Sequence, residues 1–190
     1  MVELLRAARH APDRLLHPMR RRAALAEVRA RPRPRSVLVL CYGNICRSPF
    51  AEEVLRRHLA PAGVAVQSAG LFGPDRPSPA AALEAARRHN VDLSAHLSRV
   101  LTASLVRQAD LMVVMEAAQR RAACTRFGLS PRNVLLLGDF DPLPIERRDI
   151  RDPVDQPVAV FATVYDRIAN CSEALAASVL VDRRAVRRSA

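Results

Sequence analysis

Nine consecutive residues, Cys41-Tyr42-Gly43-Asn44-Ile45-Cys46-Arg47-Ser48-Pro49, set a cysteine and an arginine on either side of a five-residue loop. These residue types at this spacing suit nucleophilic attack on phosphorus. Gly43 lets the backbone turn in without a Cβ clash, and Asn44 is the non-glycine residue that best accepts a left-handed conformation. Arg47 offers a planar fork of donors to two phosphate oxygens and stays charged at any working pH. A sulfur at position 41 would sit in the field of the loop amides, Arg47 and a helix end, which favours the thiolate. A thiolate attacks phosphorus without a separate base and leaves a cysteinyl-phosphate. Ser48 is placed to donate its hydroxyl to that sulfur. The cradle comprises Tyr42, Gly43, Asn44, Ile45, Cys46 and Ser48, with Cys41 at its base.

The flanking sequence must position this loop. Residues 36–40 (Ser-Val-Leu-Val-Leu) form a short, continuous apolar run, as in a strand buried on both faces. Ser48-Pro49 reads as a helix start, with Ser48 at the N-cap and Pro49 at the first helical position. That helix runs to about Leu59 on Ala51, Val54, Leu55 and Leu59. Strand, tight loop and helix N-terminus point backbone N–H groups at an anion. Further along, strands are predicted at 64–68, 111–115 and 133–137. Helices are predicted at 80–90, 102–108, 116–127 and about 157–180. The alternation implies one α/β domain, a three-layer, four-stranded parallel sheet (Rossmann-like or flavodoxin-like) with helices on both faces. The carboxyl end of the first strand is where such sheets bind ligands.

The stretch at 41–49 resembles the signature of the low-molecular-weight protein tyrosine phosphatases. The resemblance extends to Gln67-Ser68-Ala69-Gly70, to residues 91–99 and to residues 109–116, and covers about 36–181. It implies a two-step hydrolysis of protein phosphotyrosine with no metal and no cofactor. It also implies a general acid carried as Asp-Pro before the last helix. Asp152-Pro153 matches that place; Asp141-Pro142 follows the fourth predicted strand too closely and fits a turn. Cys41, Arg47 and Asp152 are therefore the expected catalytic residues. The resemblance further implies that Cys46 can pair reversibly with Cys41 on oxidation and shield it. An alternative role for Cys46 is that of a small loop residue. Ile45, aliphatic, goes with phosphotyrosine in this family, where threonine goes with phosphoarginine. The family's aromatic residue after Asp-Pro is absent: Val154 stands there. Tyr42, where the family often has an aliphatic residue, and Phe72 are expected to replace that cleft wall in part. Ser68 to Leu71 is similar to bacterial members that act on autophosphorylated tyrosine kinases of polysaccharide export.

The net charge of +11 is not spread evenly over the 190 residues. Residues 1–35 hold ten arginines against three acids, and 182–190 hold four against one, so 36–181 is near neutral. The chain therefore divides into a basic N-terminal extension (1–35), a phosphatase domain (36–181) and a basic C-terminal tail (182–190). The extension is expected to form one or two helical turns near residues 2–10 and a second helix over 20–30. An Arg-Pro-Arg-Pro-Arg linker, stiff and extended, follows at 31–35. The extension as a whole is either a solvated or partly helical segment or a contact for acidic lipid, a phosphorylated partner or nucleic acid. No apolar run suits a signal peptide or a membrane span. Four cysteines without metal-ligand spacing suit a reducing cytoplasm. Cys124 and Cys171 read as packing residues, and the five histidines show no clustering.

Two other functions compete. An arsenate reductase on the same scaffold would need further cysteines close together on a mobile segment; Cys124 and Cys171 are far apart in sequence and lie in predicted helices. A non-catalytic module that reads phosphate or nucleic acid would have no need of Cys41, Arg47, Ser48 and Asp152 together. It would also want an aromatic platform for bases, which is missing.

Overall fold

The structure, a computed structural model, describes residues 2–181, with 2–10 as backbone only. The C-terminal tail at 182–190 lies outside the described residues. Four short apolar runs make a parallel sheet: β1 (Ser36–Cys41), β2 (Ala65–Gly70), β3 (Leu111–Val114) and β4 (Val134–Leu136), in the order β2-β1-β3-β4. The register sets Cys41 beside Gly70 and Leu40 beside Val114.

Side chains of β1 alternate between two cores, as the pleat requires. Val37, Val39 and Cys41 face α2 (Arg47–Leu59), α3 (Ala80–Arg87) and α6 (Val158–Leu180). Leu38 and Leu40 face α4 (Ala103–Gln108) and α5 (Ala117–Phe127). Helices therefore cover both faces of the sheet. With no tryptophan available, the first core centres on Tyr165 of α6, fully buried and stacked on Phe50 of α2 at 4.0 Å between ring centroids.

Two sequence expectations are corrected. Ser48 is not an N-cap: α2 begins at Arg47, Cys46 takes the cap position, and no side chain closes that end. The Ser48 hydroxyl is instead engaged with Cys41 and Asn44, which leaves the first-turn amides for a ligand. The N-terminal extension is not two short helices but one, α1 (Val2–Ala30), which runs through Pro12 and Pro18. A proline in a helix interior removes one hydrogen bond and crowds the carbonyl four residues back. Here both prolines lie exposed, where water can serve the freed carbonyls. The opposite face of α1 is docked: Val28 is buried in the first core, and His17 Nε2 donates to the Asp141 carbonyl (3.0 Å).

Candidate active site

Cys41 ends β1, the loop spans 42–46, and α2 starts at Arg47. The Asn44 N–H donates to Cys41 Sγ (3.2 Å), with Asn44 in a left-handed conformation at φ 52°. Ser48 Oγ lies 3.0 Å from the same sulfur. The Asn44 amide nitrogen donates to Ser48 Oγ (2.9 Å) and to Ser68 Oγ (2.8 Å), and Ser68 donates to Glu52 (2.6 Å). Since Ser48 Oγ already accepts from Asn44, its one proton is free to point at sulfur. Asn44 Oδ1 takes the Arg99 N–H (2.9 Å), which fixes the amide's orientation. His96 Nε2 donates to the Asn44 carbonyl (2.7 Å) and Arg76 Nη2 to the Gly43 carbonyl (3.0 Å). The loop is thus tied down from the 73–99 segment as well as from its own ends.

Arg47 is fully buried. Its Nη1 donates to Glu116 and to the Ile150 carbonyl, and its Nη2 donates to Asp152. Burial opposes the charge, but the fields of Cys41, Asp152 and Glu116 outweigh it and hold the guanidinium protonated. Its Nε is buried without a partner. A buried charged group with an unmet donor is costly unless a ligand supplies the acceptor.

Of the two Asp-Pro candidates, the structure brings Asp152 to the loop. The Asp152 side chain is one-third exposed and its Oδ1 accepts the Val154 N–H (3.3 Å). Asp141 is buried away from the loop, paired with Arg167 (2.8 Å) and closing a turn to the Leu143 N–H (3.1 Å). The cleft above the sulfur holds about 80 Å³ and is lined by Tyr42, Ile45, Phe72, Arg76, Asp152 and Val154, among others. Tyr42 and Phe72 meet edge to face, 5.9 Å between ring centroids, opposite the position where an aromatic residue is missing. A larger depression of about 710 Å³ lies between the 141–151 segment and α6, and no loop residue lines it.

Cys46 is buried and lines the same cleft as Cys41. Burial first, then the charges of Asp152 and Cys41, push its thiol up to about 12, so it stays protonated at neutral pH. The Tyr165 hydroxyl donates to the Cys46 carbonyl (3.0 Å). Cys124 and Cys171 belong to the cores on opposite faces of the sheet.

Glu116, His96, Ser68, Arg76 and Arg99 all reach the loop or its arginine, Glu52 holds Ser68, and the sequence alone gave none of them a role. Ser68 and Glu116 lie in segments that match the family pattern, a signal that pointed to them without saying what they touch.

Comparison with known proteins agrees with this geometry. The family described as low molecular weight phosphotyrosine protein phosphatase matches residues 36–185. The low molecular weight protein-tyrosine-phosphatase Etp of Escherichia coli K12 is 37% identical over 140 residues, 73% of this chain and 90% of Etp. Among solved structures, the Erwinia amylovora tyrosine phosphatase AmsI matches with a TM-score of 0.70 at 30% identity, covering 78% of this chain and 95% of AmsI. A YwlE arginine phosphatase, a cysteine-to-serine mutant with a phosphorylated active-site serine, matches with a TM-score of 0.69 at 28% identity, covering 78% and 98%. With its loop, its sheet order and four-fifths of its length accounted for in this way, the chain belongs to the low molecular weight phosphotyrosine protein phosphatase family.

Proposed function

We propose that the protein hydrolyses phosphotyrosine on proteins through a phosphoryl group carried on Cys41. The observation that supports this most is the convergence on one sulfur: Cys41 Sγ receives the Asn44 N–H, neighbours the Ser48 hydroxyl and lies in the field of the buried Arg47.

In the first step the Cys41 thiolate attacks phosphorus, the S–P bond forms and the P–O bond to the tyrosine ring breaks. Asp152, protonated, gives its proton to the leaving phenolic oxygen. In the second step Asp152 takes a proton from water as the water oxygen bonds to phosphorus, the S–P bond breaks and inorganic phosphate leaves. Ser48 stabilises the thiolate as attacker and as leaving group. Arg47 and the uncapped first turn of α2 hold the equatorial oxygens. The Asp152 carboxylate accepts from Arg47 Nη2. An incoming dianion takes that place, which frees the carboxyl group to face the leaving oxygen.

The apolar Ile45 at the cleft, with Tyr42 and Phe72 as aromatic wall, favours a flat aryl phosphate over phosphoarginine. Val154 forms the opposite, weaker wall. Cys46 is proposed as a reversible shield for oxidised Cys41; its protonated thiol makes that pairing slow at neutral pH. The substrate is a phosphotyrosine protein, an autophosphorylated tyrosine kinase by resemblance, in a reducing cytoplasm. Among the described residues no helix is long and apolar enough to cross a membrane. An arsenate-reducing thiol relay is disfavoured because Cys124 and Cys171 lie on opposite sides of the sheet.

The test compares wild type and Asp152→Ala on p-nitrophenyl phosphate and phenyl phosphate. Loss of the general acid lowers kcat by about 10²–10⁴-fold on phenyl phosphate, and by clearly less on the nitrophenyl ester, whose leaving group needs no proton. Equal losses on both esters would remove Asp152 from the acid role.

A further inference from the structure

We propose that the outward face of α1 is a docking surface for an anionic lipid membrane, a function separate from the phosphatase site. The helix carries two opposed stripes. His17, Arg21, Ala24 and Val28, at helical spacing, face the domain: His17 and Val28 are buried, and Ala24 packs on the first core. The same spacing on the other side runs through Leu15, Met19, Arg22 and Ala26. Leu15 is 79% exposed, Met19 67% and the adjoining Leu16 38%. Single exposed apolar residues are ordinary; three within five residues on one helix, followed by Arg20, Arg21 and Arg22, are a patch.

The rotation of the helix is fixed at its middle and just past its C-terminal end, so this face cannot turn inward. Near the middle, the Asp13 carboxylate accepts the Arg148 N–H (3.1 Å) and pairs with Arg20 (2.8 Å). Just past the C-terminal end, Arg31 bonds Glu27 and reaches Asn133 (3.5 Å). The same contacts engage both acids described on this helix, Asp13 and Glu27, whereas Arg22 and Arg29 are exposed.

Charge selects the occupant. Residues 1–35 carry ten arginines against three acids. A second copy docked on this face would set two strongly positive segments against each other. Nucleic acid would satisfy the arginines but leave Leu15, Leu16 and Met19 in water. A negatively charged bilayer surface satisfies both, since an interfacial helix sinks its apolar side chains to the acyl boundary while its arginines hold the headgroups.

The test is co-sedimentation of the full chain with vesicles of phosphatidylcholine alone and with vesicles containing one-third phosphatidylserine. The expected result is binding at least roughly tenfold stronger to the anionic vesicles. The double variant Leu15→Glu/Met19→Glu is expected to lose roughly tenfold or more of it. Its hydrolysis of p-nitrophenyl phosphate should match wild type, which shows that the variant is folded. Equal binding to both vesicle types, or anionic binding that the double variant retains, would overturn the proposal. So would a wild-type dimer in size-exclusion chromatography that the variant abolishes, because the patch would then face a second copy.

Discussion

Arg47 is buried between two carboxylates, Glu116 and Asp152, beneath a sulfur, and one of its nitrogens has no acceptor. The two carboxylates differ in what they are free to do. Glu116 is held in place by Gln119 as well (3.1 Å), while Asp152 sits in a loop and is one-third exposed. One therefore fixes the guanidinium and the other can leave it. The cleft wall yields a prediction at the same scale. With Tyr42 and Phe72 proposed as the aromatic wall, Phe72→Ala should raise KM for an aryl phosphate by about 2–10-fold with little change in kcat. Val154→Trp should leave kcat/KM within about twofold, because the wall is already present. A gain of about tenfold in Val154→Trp would show instead that the cleft lacks an aryl wall. Cys41, Arg47 and Ser48 stood out because they lie within eight consecutive residues and their types at that spacing suit one chemistry. The contacts of Glu116 and His96 were not legible, because the matched segments that hold them do not say which atoms they touch until the fold sets them beside the loop.

At the scale of elements, the parallel pairing of β1 with β2 places Gly70 directly under the loop. A Cβ on Gly70 would lie 2.8 Å from the Tyr42 carbonyl oxygen, 2.9 Å from the Gly43 carbonyl carbon and 3.0 Å from the Asn44 nitrogen. All three are backbone atoms, which cannot step aside as a side-chain tip can. Gly70→Ala should therefore cost about 1–3 kcal/mol in a denaturant melt. Because it moves the Asn44 N–H away from sulfur, it should also lower kcat by about 10²-fold. Wild-type kcat in this variant would show that the loop does not depend on that close approach. The strands and most helices were readable from apolar runs and helical spacing. Only the capping role of Ser48 was misread, because a serine before a proline carries the same signal whether or not its hydroxyl caps the helix.

At the scale of the whole molecule, the near-neutral domain carries a basic helix along its edge. Proline at 12 and 18 made that helix illegible as one piece, since exposure of the freed carbonyls is a tertiary fact. The docking of α1 has a pH dependence. Burial by itself would raise the Asp13 carboxyl, but the Arg148 N–H and Arg20 outweigh it and hold it below the ordinary carboxylate range. A lowered folded-state value contributes stability above the unfolded value of about 3.9, and that contribution is lost as pH falls through the folded value. Asp13→Asn should thus be less stable than wild type by about 0.5–1 kcal/mol at neutral pH. The gap should begin to shrink below about pH 4 and then close. Thermal melts of the two proteins across that range check it; a gap that widens on acidification would contradict the reading of this contact.

The most direct test of the chemistry is mass spectrometry of wild type and Cys41→Ser quenched during turnover of p-nitrophenyl phosphate, alongside the steady-state rate. Wild type is predicted to carry one phosphoryl adduct that maps to Cys41, and Cys41→Ser to show no turnover. Full activity in Cys41→Ser, or an adduct on any other residue of the wild type, would contradict the account.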